Sequence, residues 1–127
     1  MTINTEPEKK KILIIEDNIE SQLIYKVYLR TTYSVEFAET GEAGLELLKK
    51  NEYNLLLLDI NLPGKLNGED VLKFVRNEMG NAVFPIIVIT AYALKGDKEK
   101  FIQLGANNYL AKPIDKQILL NEVAKLI

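Results

Sequence analysis

Five polar side chains follow apolar segments of this chain, and their types suit the binding of a charged group. Glu16 and Asp17 come after the first continuous apolar run, Asp59 ends the second, Thr90 ends the third, and Lys112 follows a shorter fourth segment. A carboxylate at the mouth of a buried strand costs free energy unless it is paired, bound to a metal or used in chemistry. The first question is therefore what neutralises Asp59.

Carboxylates that lie together repel one another and need a positive partner. The chain has no histidine and no cysteine, so a metal held here must be a hard cation with oxygen ligands, and Mg²⁺ is the expected one. Lys112 adds a second positive charge, and the Thr90 hydroxyl can donate to an anionic oxygen. A carboxylate nucleophile in such surroundings favours acceptance of a phosphoryl group, because this transfer depends on positioning and charge neutralisation. Asp59 is the expected acceptor.

The composition limits the class of protein. The 127 residues suit one domain, and 47% hydrophobic with 27% charged residues is typical of a globular chain with its own core. With 16 basic and 18 acidic residues the net charge is −2, which gives no general attraction to nucleic acid. No apolar run approaches the roughly 20 residues of a membrane span, and residues 1–10 lack the apolar core of a signal peptide. We expect a cytoplasmic protein without nucleic-acid or membrane partners, with a flexible tail at residues 1–10 and one domain at residues 11–127.

Continuous apolar runs predict strands that are buried on both faces. Such runs lie at Lys11–Ile15, at residues 54–59 and at residues 85–90, and a shorter strand is predicted at Asn108–Ala111. Ser34–Ala38 alternates apolar and polar residues, which is typical of a less buried strand at the edge of a sheet.

Apolar side chains at three- and four-residue spacing predict five helices between and after the strands. Asp17 or Asn18 is the expected cap of the first helix, and Gly105 is the expected end of the fourth. The first helix carries Ile19, Leu23, Ile24, Val27 and Tyr28, the third carries Val71, Leu72 and Val75, and the last carries Ile118, Leu119, Val123 and Leu126.

Strands that alternate with helices, with the central strands apolar throughout, predict a doubly wound α/β fold with a five-stranded parallel sheet. Ligands of such sheets bind at the carboxyl ends of the strands. In the order 2-1-3-4-5, the strands that precede Glu16, Asp59, Thr90 and Lys112 are neighbours, and the second strand, which contributes no such residue, lies outside them. The pattern matches that order and places these side chains at one cleft.

Each of these residues also has a simpler explanation. Asp59 alone can cap a turn, and Glu16 and Asp17 can be acids at a helix start, where the dipole favours them. Thr90 is a common strand-ending residue, and Lys112 can be a solvated loop lysine. Their convergence on one cleft favours the functional interpretation.

Four short motifs resemble those of the receiver domains of response regulators in two-component signalling, of the single-domain type related to the chemotaxis regulator. They are Glu16-Asp17-Asn18, Asp59-Ile60-Asn61-Leu62-Pro63, Thr90-Ala91 and Lys112-Pro113, and the match covers residues 11–127. The resemblance implies the flavodoxin-like receiver fold and a phosphoacceptor switch that is not a turnover enzyme.

For the acidic residues, the resemblance implies a metal site and an acceptor. Asp59 would take the phosphoryl group from the phosphohistidine of a sensor histidine kinase or a histidine phosphotransfer protein. Asp17 and Asp59 would bind Mg²⁺ together with the main-chain carbonyl of Asn61, and Glu16 would assist through a bound water.

The remaining residues would carry the response. Thr90 and Lys112 would contact the phosphoryl oxygens, and Tyr109 would be the aromatic switch that turns inward when Thr90 moves. The resemblance further implies a cis peptide before Pro113. The face formed by the fourth helix, fifth strand and fifth helix would then bind a downstream protein that the sequence does not name, with the receiver as a monomer or a phosphorylation-dependent dimer.

The chain departs from the receiver pattern between Asp59 and Gly68. This segment is one residue longer than is usual in the family, with the extra residue near Gly64 and Lys65. Because Asn61 precedes the insertion, its metal-binding carbonyl is expected to be undisturbed, whereas the outer shape of the loop is expected to differ.

Three other interpretations stay open. A phosphatase or phosphotransferase similar to the haloacid dehalogenases also uses a strand-end aspartate and Mg²⁺, but Asn61 stands where those enzymes have a second aspartate as general acid. The chain can also be a receiver cut from a hybrid histidine kinase. A third interpretation is an interaction module that is not phosphorylated, which absence of Mg²⁺ affinity would favour.

Overall fold

The apolar runs of the sequence form the strands of one parallel sheet. The computed structural model describes residues 8–127. Its strands are β1 (Lys11–Ile15), β2 (Ser34–Ala38), β3 (Leu55–Asp59), β4 (Ile86–Thr90) and β5 (Asn108–Ala111). They pair in parallel in the order β2-β1-β3-β4-β5. The predicted topology and the edge position of β2 are confirmed.

The helices begin at polar caps and alternate with the strands. They are α1 (Ile19–Leu29), α2 (Gly41–Lys50), α3 (Gly68–Lys73), α4 (Asp97–Gln103) and α5 (Lys116–Leu126). The side chains of Asn18, Thr40, Asn67 and Asp115 each accept a hydrogen bond from the backbone N–H three residues further on, which satisfies a donor that the helix itself leaves unpaired. Asn18, one of the two predicted candidates, is thus the cap of α1.

The third helix does not continue as a regular α-helix. A π-helical turn (Phe74–Glu78) follows α3 and carries the half-buried Arg76. The Arg76 guanidinium donates to the carbonyl of Gly105 at 2.7 and 2.9 Å and to that of Asn81 at 2.9 Å. The irregular turn is therefore tied to the end of α4, a connection that the helical periodicity of the sequence does not predict.

The sheet separates two apolar cores because successive residues of each strand point to opposite faces. On one face, Leu56 and Leu58 of β3 pack with side chains of α2, α3 and α4. On the other face, Leu55 and Leu57 pack with side chains of α1 and α5. The four leucines are fully buried, so the strand that ends in Asp59 is fixed from both sides.

The helix α1 turns most of its predicted apolar stripe outward. Ile19 and Leu23 are 65% and 56% exposed, and Ile24 and Val27 are also exposed. Tyr25 and Leu29, with the half-buried Tyr28 beside them, are the side chains that α1 contributes to the core. The spacing predicted a helix correctly, but an apolar stripe on it faces away from the sheet.

Several local predictions can be compared with the described residues. The tail predicted at residues 1–10 lies outside them except for residues 8–10, which precede β1. The Lys112–Pro113 peptide is cis, as the resemblance implied, and Gly105 follows α4 as expected. Among the helices of residues 8–127, none is long and apolar enough to cross a bilayer.

Candidate functional site

The strand register brings the predicted site residues to one edge of the sheet. Ile15 pairs with Leu58, Asp59 pairs with Ile89, and Thr90 pairs with Ala111. The residues at or just after these pairs are Glu16, Asp17, Asp59, Thr90 and Lys112. Adjacent parallel strands therefore place together the side chains that lie far apart in the sequence.

Three carboxyl groups form the centre of the site. One oxygen from each of Glu16, Asp17 and Asp59 lies within 4.8 Å of the other two. Glu16 is 1% exposed and Asp59 is 5% exposed, whereas Asp17 faces solvent. These three carboxyl groups, two of them buried and one exposed, offer only oxygen ligands. Such a set fits a hard divalent cation such as Mg²⁺.

Lys112 contributes a positive charge to the same group of side chains. Its Nζ donates to Glu16 Oε1 and lies 3.5 Å from Asp59 Oδ2. Only 18% of the lysine side chain is exposed, so both ion pairs lie largely out of water and are weakly screened. Lys112 thus offsets part of the negative charge that burial makes costly.

The two buried carboxyls differ in their protonation. Burial and then the hydrogen bond with Glu16 raise the pKa of Asp59 to about 7, although the Asn61 amide and Lys112 act against the rise. Burial also acts to raise the pKa of Glu16, but hydrogen bonds with Asp59 and Lys112 outweigh it and leave that pKa below its usual value. Of the two carboxyls, Asp59 is therefore the one that takes up a proton more readily, and a bound cation would oppose that protonation.

Asn61 and Thr90 lie beside Asp59. The backbone N–H of Asn61 donates to Asp59 Oδ1 at 3.0 Å, and its side-chain amide lies 3.5 Å from Thr90 Oγ1. Thr90 Oγ1 also accepts from the Tyr92 N–H at 3.1 Å. The hydroxyl is buried at the end of β4, next to the strand that carries Asp59.

Tyr109 lies away from the acidic group. Its ring stacks on Phe101 of α4, with centroids 5.8 Å apart, and its hydroxyl lies 3.4 Å from Asp97 Oδ2. Burial, with the charge of Asp97, raises the pKa of Tyr109. The structure thus joins Tyr109 to α4 and does not bring it to Asp59.

Sequence reasoning missed two residues of α1 that support the site. Gln22 donates from its side chain to the Glu16 carbonyl at 2.6 Å. Tyr25 is buried, and it lines a cavity of about 400 Å³ that Lys112 and Pro113 also line. Burial, followed by the charges of Glu16 and Asp59, raises the pKa of Tyr25. The four-residue spacing of Tyr25 and Leu29 gives no unique signal for this inward face, because the exposed Ile19 and Leu23 have the same spacing.

Comparisons with known sequences identify the family of this chain. The family model of the response regulator receiver domain matches residues 12–124. A hybrid signal transduction histidine kinase from Dictyostelium discoideum is 34% identical over 120 residues, which is 87% of this chain and 7% of the kinase. The polar-differentiation response regulator DivK from Brucella ovis is 31% identical over 106 residues, which covers 83% of this chain and 85% of DivK. This chain also spans 50% of the transcriptional regulatory protein RprY from Bacteroides fragilis.

Comparisons with solved structures identify the same architecture. A CheY-like response regulator receiver domain protein from Methanospirillum hungatei superposes with a TM-score of 0.84 at 28% identity, covering 93% of both chains. The receiver domain of a sensor histidine kinase from Pseudomonas aeruginosa, which holds a magnesium ion in its active-site cleft, gives 0.83 at 32% identity, over 93% of this chain and 97% of that one. The chain belongs to the response-regulator receiver family.

Proposed function

We propose that Asp59 accepts a phosphoryl group from a partner's phosphohistidine and that this change alters a surface read by a second protein. Receiver domains are signalling switches and not turnover enzymes, and they act with histidine kinases or phosphotransfer proteins in two-component systems. The observation that carries the proposal is a buried aspartate at a strand end, within reach of one lysine and two further carboxylates. This site has an acceptor and the charges to support it, and the chain has no histidine of its own.

In the proposed transfer, one Asp59 oxygen forms a bond to phosphorus while the bond from phosphorus to the partner's histidine nitrogen breaks. The nitrogen keeps the electron pair of the broken bond, and the product on this chain is an acyl phosphate. Lys112 Nζ lies 3.5 Å from Asp59 Oδ2 and can therefore bind the phosphoryl oxygens and neutralise their negative charge. The Thr90 hydroxyl, at the end of the neighbouring strand, can turn its proton toward the same oxygens.

The metal ligands that we assign are Asp17, Asp59 and the main-chain oxygen of Asn61, with Glu16 acting through water. Bound Mg²⁺ supplies charge neutralisation for the phosphoryl oxygens. The donor chemistry supports this set, because it consists only of oxygen atoms and carries more negative charge than Lys112 offsets. Glu16 is held by Lys112 and by the Asn18 N–H at 3.4 Å, which suits a supporting position.

We assign the response to Thr90, Tyr109 and the face formed by α4, β5 and α5. Movement of Thr90 toward a phosphoryl group would break its contact with the Tyr92 N–H, now 3.1 Å long, and so release the start of the loop before α4. Tyr109 packs on α4 through Phe101 and contacts Asp97 at the helix start. A shift of that loop would therefore change both the packing of Tyr109 and the exposed surface of α4.

The exposed stripe of α1 supports a docking place for the phosphohistidine donor. Ile19, Leu23 and Val27 lie one turn apart along the outward side of the helix, and Ile24 adjoins them. The helix begins at Ile19, two residues after Asp17, so a partner on this stripe would reach the edge of the sheet that carries Asp59. Exposed apolar patches beside a site commonly bind protein partners, and an amphipathic helix of the donor would match this one.

We also propose that the protein is cytoplasmic and that it has neither nucleic-acid nor membrane partners. A chain without cysteine is compatible with a reducing compartment. The balanced charge of −2 supports a protein partner over nucleic acid. The receiver would act as a monomer, or as a dimer formed through the α4–β5–α5 face on phosphorylation.

The proposal is tested with acetyl phosphate as a small donor, with and without Mg²⁺, on the wild type and on Asp59→Asn. We expect the wild type to gain one phosphoryl group only with Mg²⁺, and borohydride reduction of the acyl phosphate to mark residue 59 in peptide mass spectra. Asp115→Asn, which changes an exposed aspartate at the start of α5, is the matched control and should label as the wild type does. Equal labelling of Asp59→Asn and the wild type would overturn the assignment.

A further inference from the structure

The loop between β3 and α3 is held from outside by one carboxylate. Glu42 lies in the first turn of α2, and its Oε1 accepts from the Lys65 N–H at 3.0 Å and from the Leu66 N–H at 2.8 Å. Glu42 is 23 and 24 positions away from Lys65 and Leu66 in the sequence, so this contact fixes the loop against a different helix. The feature lies outside the group of acidic residues that surround Asp59.

The Glu42 carboxylate is adapted to stay charged. Hydrogen bonds from backbone N–H groups, its own first and those of Leu66 and Lys65 among the others, together with the Thr40 side chain, hold its pKa below the usual value. Its place in the first turn of α2 adds the favourable field of a helix N-terminus. Hydrogen bonds to an ionised acceptor are stronger than neutral ones, so Glu42 is a firm attachment point for the loop.

The contact falls where the loop is one residue longer than is usual in receivers. Gly64, next to Lys65, has a φ of +89°, and a Cβ placed on it would lie 3.0 Å from Glu42 Oε2. The turn at Gly64 therefore lies directly against the Glu42 carboxylate. Glu42 binds the backbone at the point where an extra residue would otherwise leave the loop least constrained.

The other end of the same loop carries the proposed metal carbonyl. The Asn61 N–H donates to Asp59 Oδ1 at 3.0 Å, and the Gly68 N–H donates to the Ile60 carbonyl at 3.0 Å. Only three residues separate Asn61 from Lys65, and one of them, Leu62, packs against the core. Leu62 therefore holds one end of this short segment and Glu42 holds the other, and the two contacts together limit the positions that the Asn61 carbonyl can take.

We infer that Glu42 is a positioning residue for the metal site, which acts by holding the elongated loop so that the Asn61 carbonyl points to the cation. This inference rests on the proposed Mg²⁺-dependent function. Glu42 does not touch the metal or the phosphoryl group in this assignment. Its effect is on the affinity for Mg²⁺, in the way that residues behind metal ligands orient them.

The first test titrates Mg²⁺ alone into the wild type, Glu42→Ala, Glu42→Gln and Glu46→Ala, by calorimetry and by backbone amide NMR. Loss of outer contacts typically weakens metal binding 10-fold or more, and we expect about a tenfold weaker affinity for Glu42→Ala. Glu42→Gln keeps an oxygen acceptor without the charge, and its Mg²⁺ affinity should lie between those of the wild type and Glu42→Ala. Glu46 lies on the same helix, pairs with Lys49 and Lys50 and does not contact the loop, so Glu46→Ala should bind as the wild type does.

A second test removes the extra residue. In a chain that lacks Gly64 the loop has the usual receiver length, and Glu42→Ala should then weaken Mg²⁺ binding less than it does in the full-length loop, a coupling that a double-mutant cycle measures. Hydrogen exchange at the Lys65 and Leu66 amides gives an independent readout, because both should exchange faster in Glu42→Ala. If the shortened chain does not fold, the Mg²⁺ affinities of the Glu42 variants and the exchange rates decide whether the inference holds.

The outcomes separate this inference from the proposed function. Absence of Mg²⁺ binding in the wild type would overturn the proposed function. Wild-type binding with an unchanged affinity in Glu42→Ala would overturn the inference alone. A Glu42→Ala protein that unfolds more easily but binds Mg²⁺ as the wild type does when folded would show a purely structural role and would also overturn it.

Discussion

The two loops that leave the central strands differ in how firmly they are held. The loop after β3 (residues 60–67) packs Leu62 and Leu66 against the core, and Glu42 binds its backbone. The loop after β4 (residues 91–96) leaves Tyr92 73% exposed and Leu94 70% exposed. One loop is therefore anchored by apolar and polar contacts, whereas the other presents its large side chains to solvent.

The helices that follow the two loops show the same contrast. The helix α3 begins with a reciprocal pair of hydrogen bonds, in which Asn67 and Asp70 each accept from the other's backbone N–H. The N-cap of α4 is Gly96, which has a φ of +88° and has no side chain that could accept a capping hydrogen bond. Capping bonds typically contribute about 1 kcal/mol to helix stability, so the start of α4 is the easier of the two to rearrange.

Under the proposed function, this contrast separates two tasks within one cleft. The main-chain oxygen of Asn61 would bind the metal and would have to keep its position, and Asn61 lies on the anchored loop. The Thr90 hydroxyl would move on phosphorylation, and Thr90 leads into the loop with few anchors. Segments with few buried contacts open at low free-energy cost, which is what a switch of this type needs.

The largest expected effect comes from a substitution that crowds the anchored loop. A Cβ added at Gly68 would lie 2.3 Å from the Asp59 carbonyl oxygen and 2.6 Å from the Ile60 Cα, both backbone atoms. Gly68→Ala should therefore lower the free energy of unfolding by about 3 kcal/mol, since crowding of a packed region at this level forces the backbone to shift. Urea unfolding with an unchanged m value is the measurement.

Gly96→Ala is the counterpart in the other loop. A Cβ there has no neighbouring atom within 4 Å, so only the positive φ resists it, at a cost of about 1 kcal/mol. Equal losses in the two variants would contradict the distinction between an anchored and an unanchored loop.

A smaller effect on stability is expected from the charge of Asp59, measured without metal. Because the pKa of Asp59 is raised to about 7 in the folded protein, the folded chain holds a proton that the unfolded chain has lost, and stability falls as the pH rises from about 4 to about 7. A pKa that moves this far corresponds to about 4 kcal/mol at most, and relaxation of the site reduces it, so Asp59→Asn should be more stable than the wild type by about 2 kcal/mol at pH 7.

The measurement is the difference between the two unfolding free energies across that pH range. Mg²⁺ should reduce this difference, because it stabilises the ionised wild type and loses a ligand in Asp59→Asn. A difference that stays constant from pH 4 to pH 7 would show that Asp59 is not an unfavourable buried charge.

The sequence predicted the strands and the acidic site for a physical reason. Continuous apolar runs have few alternatives to a doubly covered parallel sheet, and the carboxyl ends of such strands meet at one edge. Asp59 and Thr90, at the ends of two such runs, were therefore placed together by the strand order alone, and the structure confirms that placement. Their chemical roles remain proposals, because strand order does not measure reactivity.

The features that the sequence did not predict depend on contacts without a periodic signal. On α1, Ile19 and Leu23 satisfy the same four-residue spacing as Tyr25 and Leu29, so periodicity alone did not tell which side faces the sheet. Glu42 was missed because a carboxylate that binds distant backbone N–H groups leaves no pattern in the order of residue types. The π-helical turn at Arg76 was missed for the same reason.

The smallest expected effects concern two hydrogen bonds at the end of the loop after β4. Asp97 Oδ2 accepts from the Leu94 N–H at 3.1 Å and from the Tyr109 hydroxyl at 3.4 Å. Asp97→Ala should lower the free energy of unfolding by about 1 kcal/mol and speed hydrogen exchange at Leu94. Tyr109→Phe, which removes only the longer contact, should cost less than about 0.5 kcal/mol.

Neither variant should change Mg²⁺ affinity by as much as Glu42→Ala, because neither substituted residue touches the loop that carries the proposed metal carbonyl of Asn61. Weaker Mg²⁺ binding in Asp97→Ala would mean that the two loops are coupled in the resting state, and the division between a fixed and a movable half of the site would then be wrong.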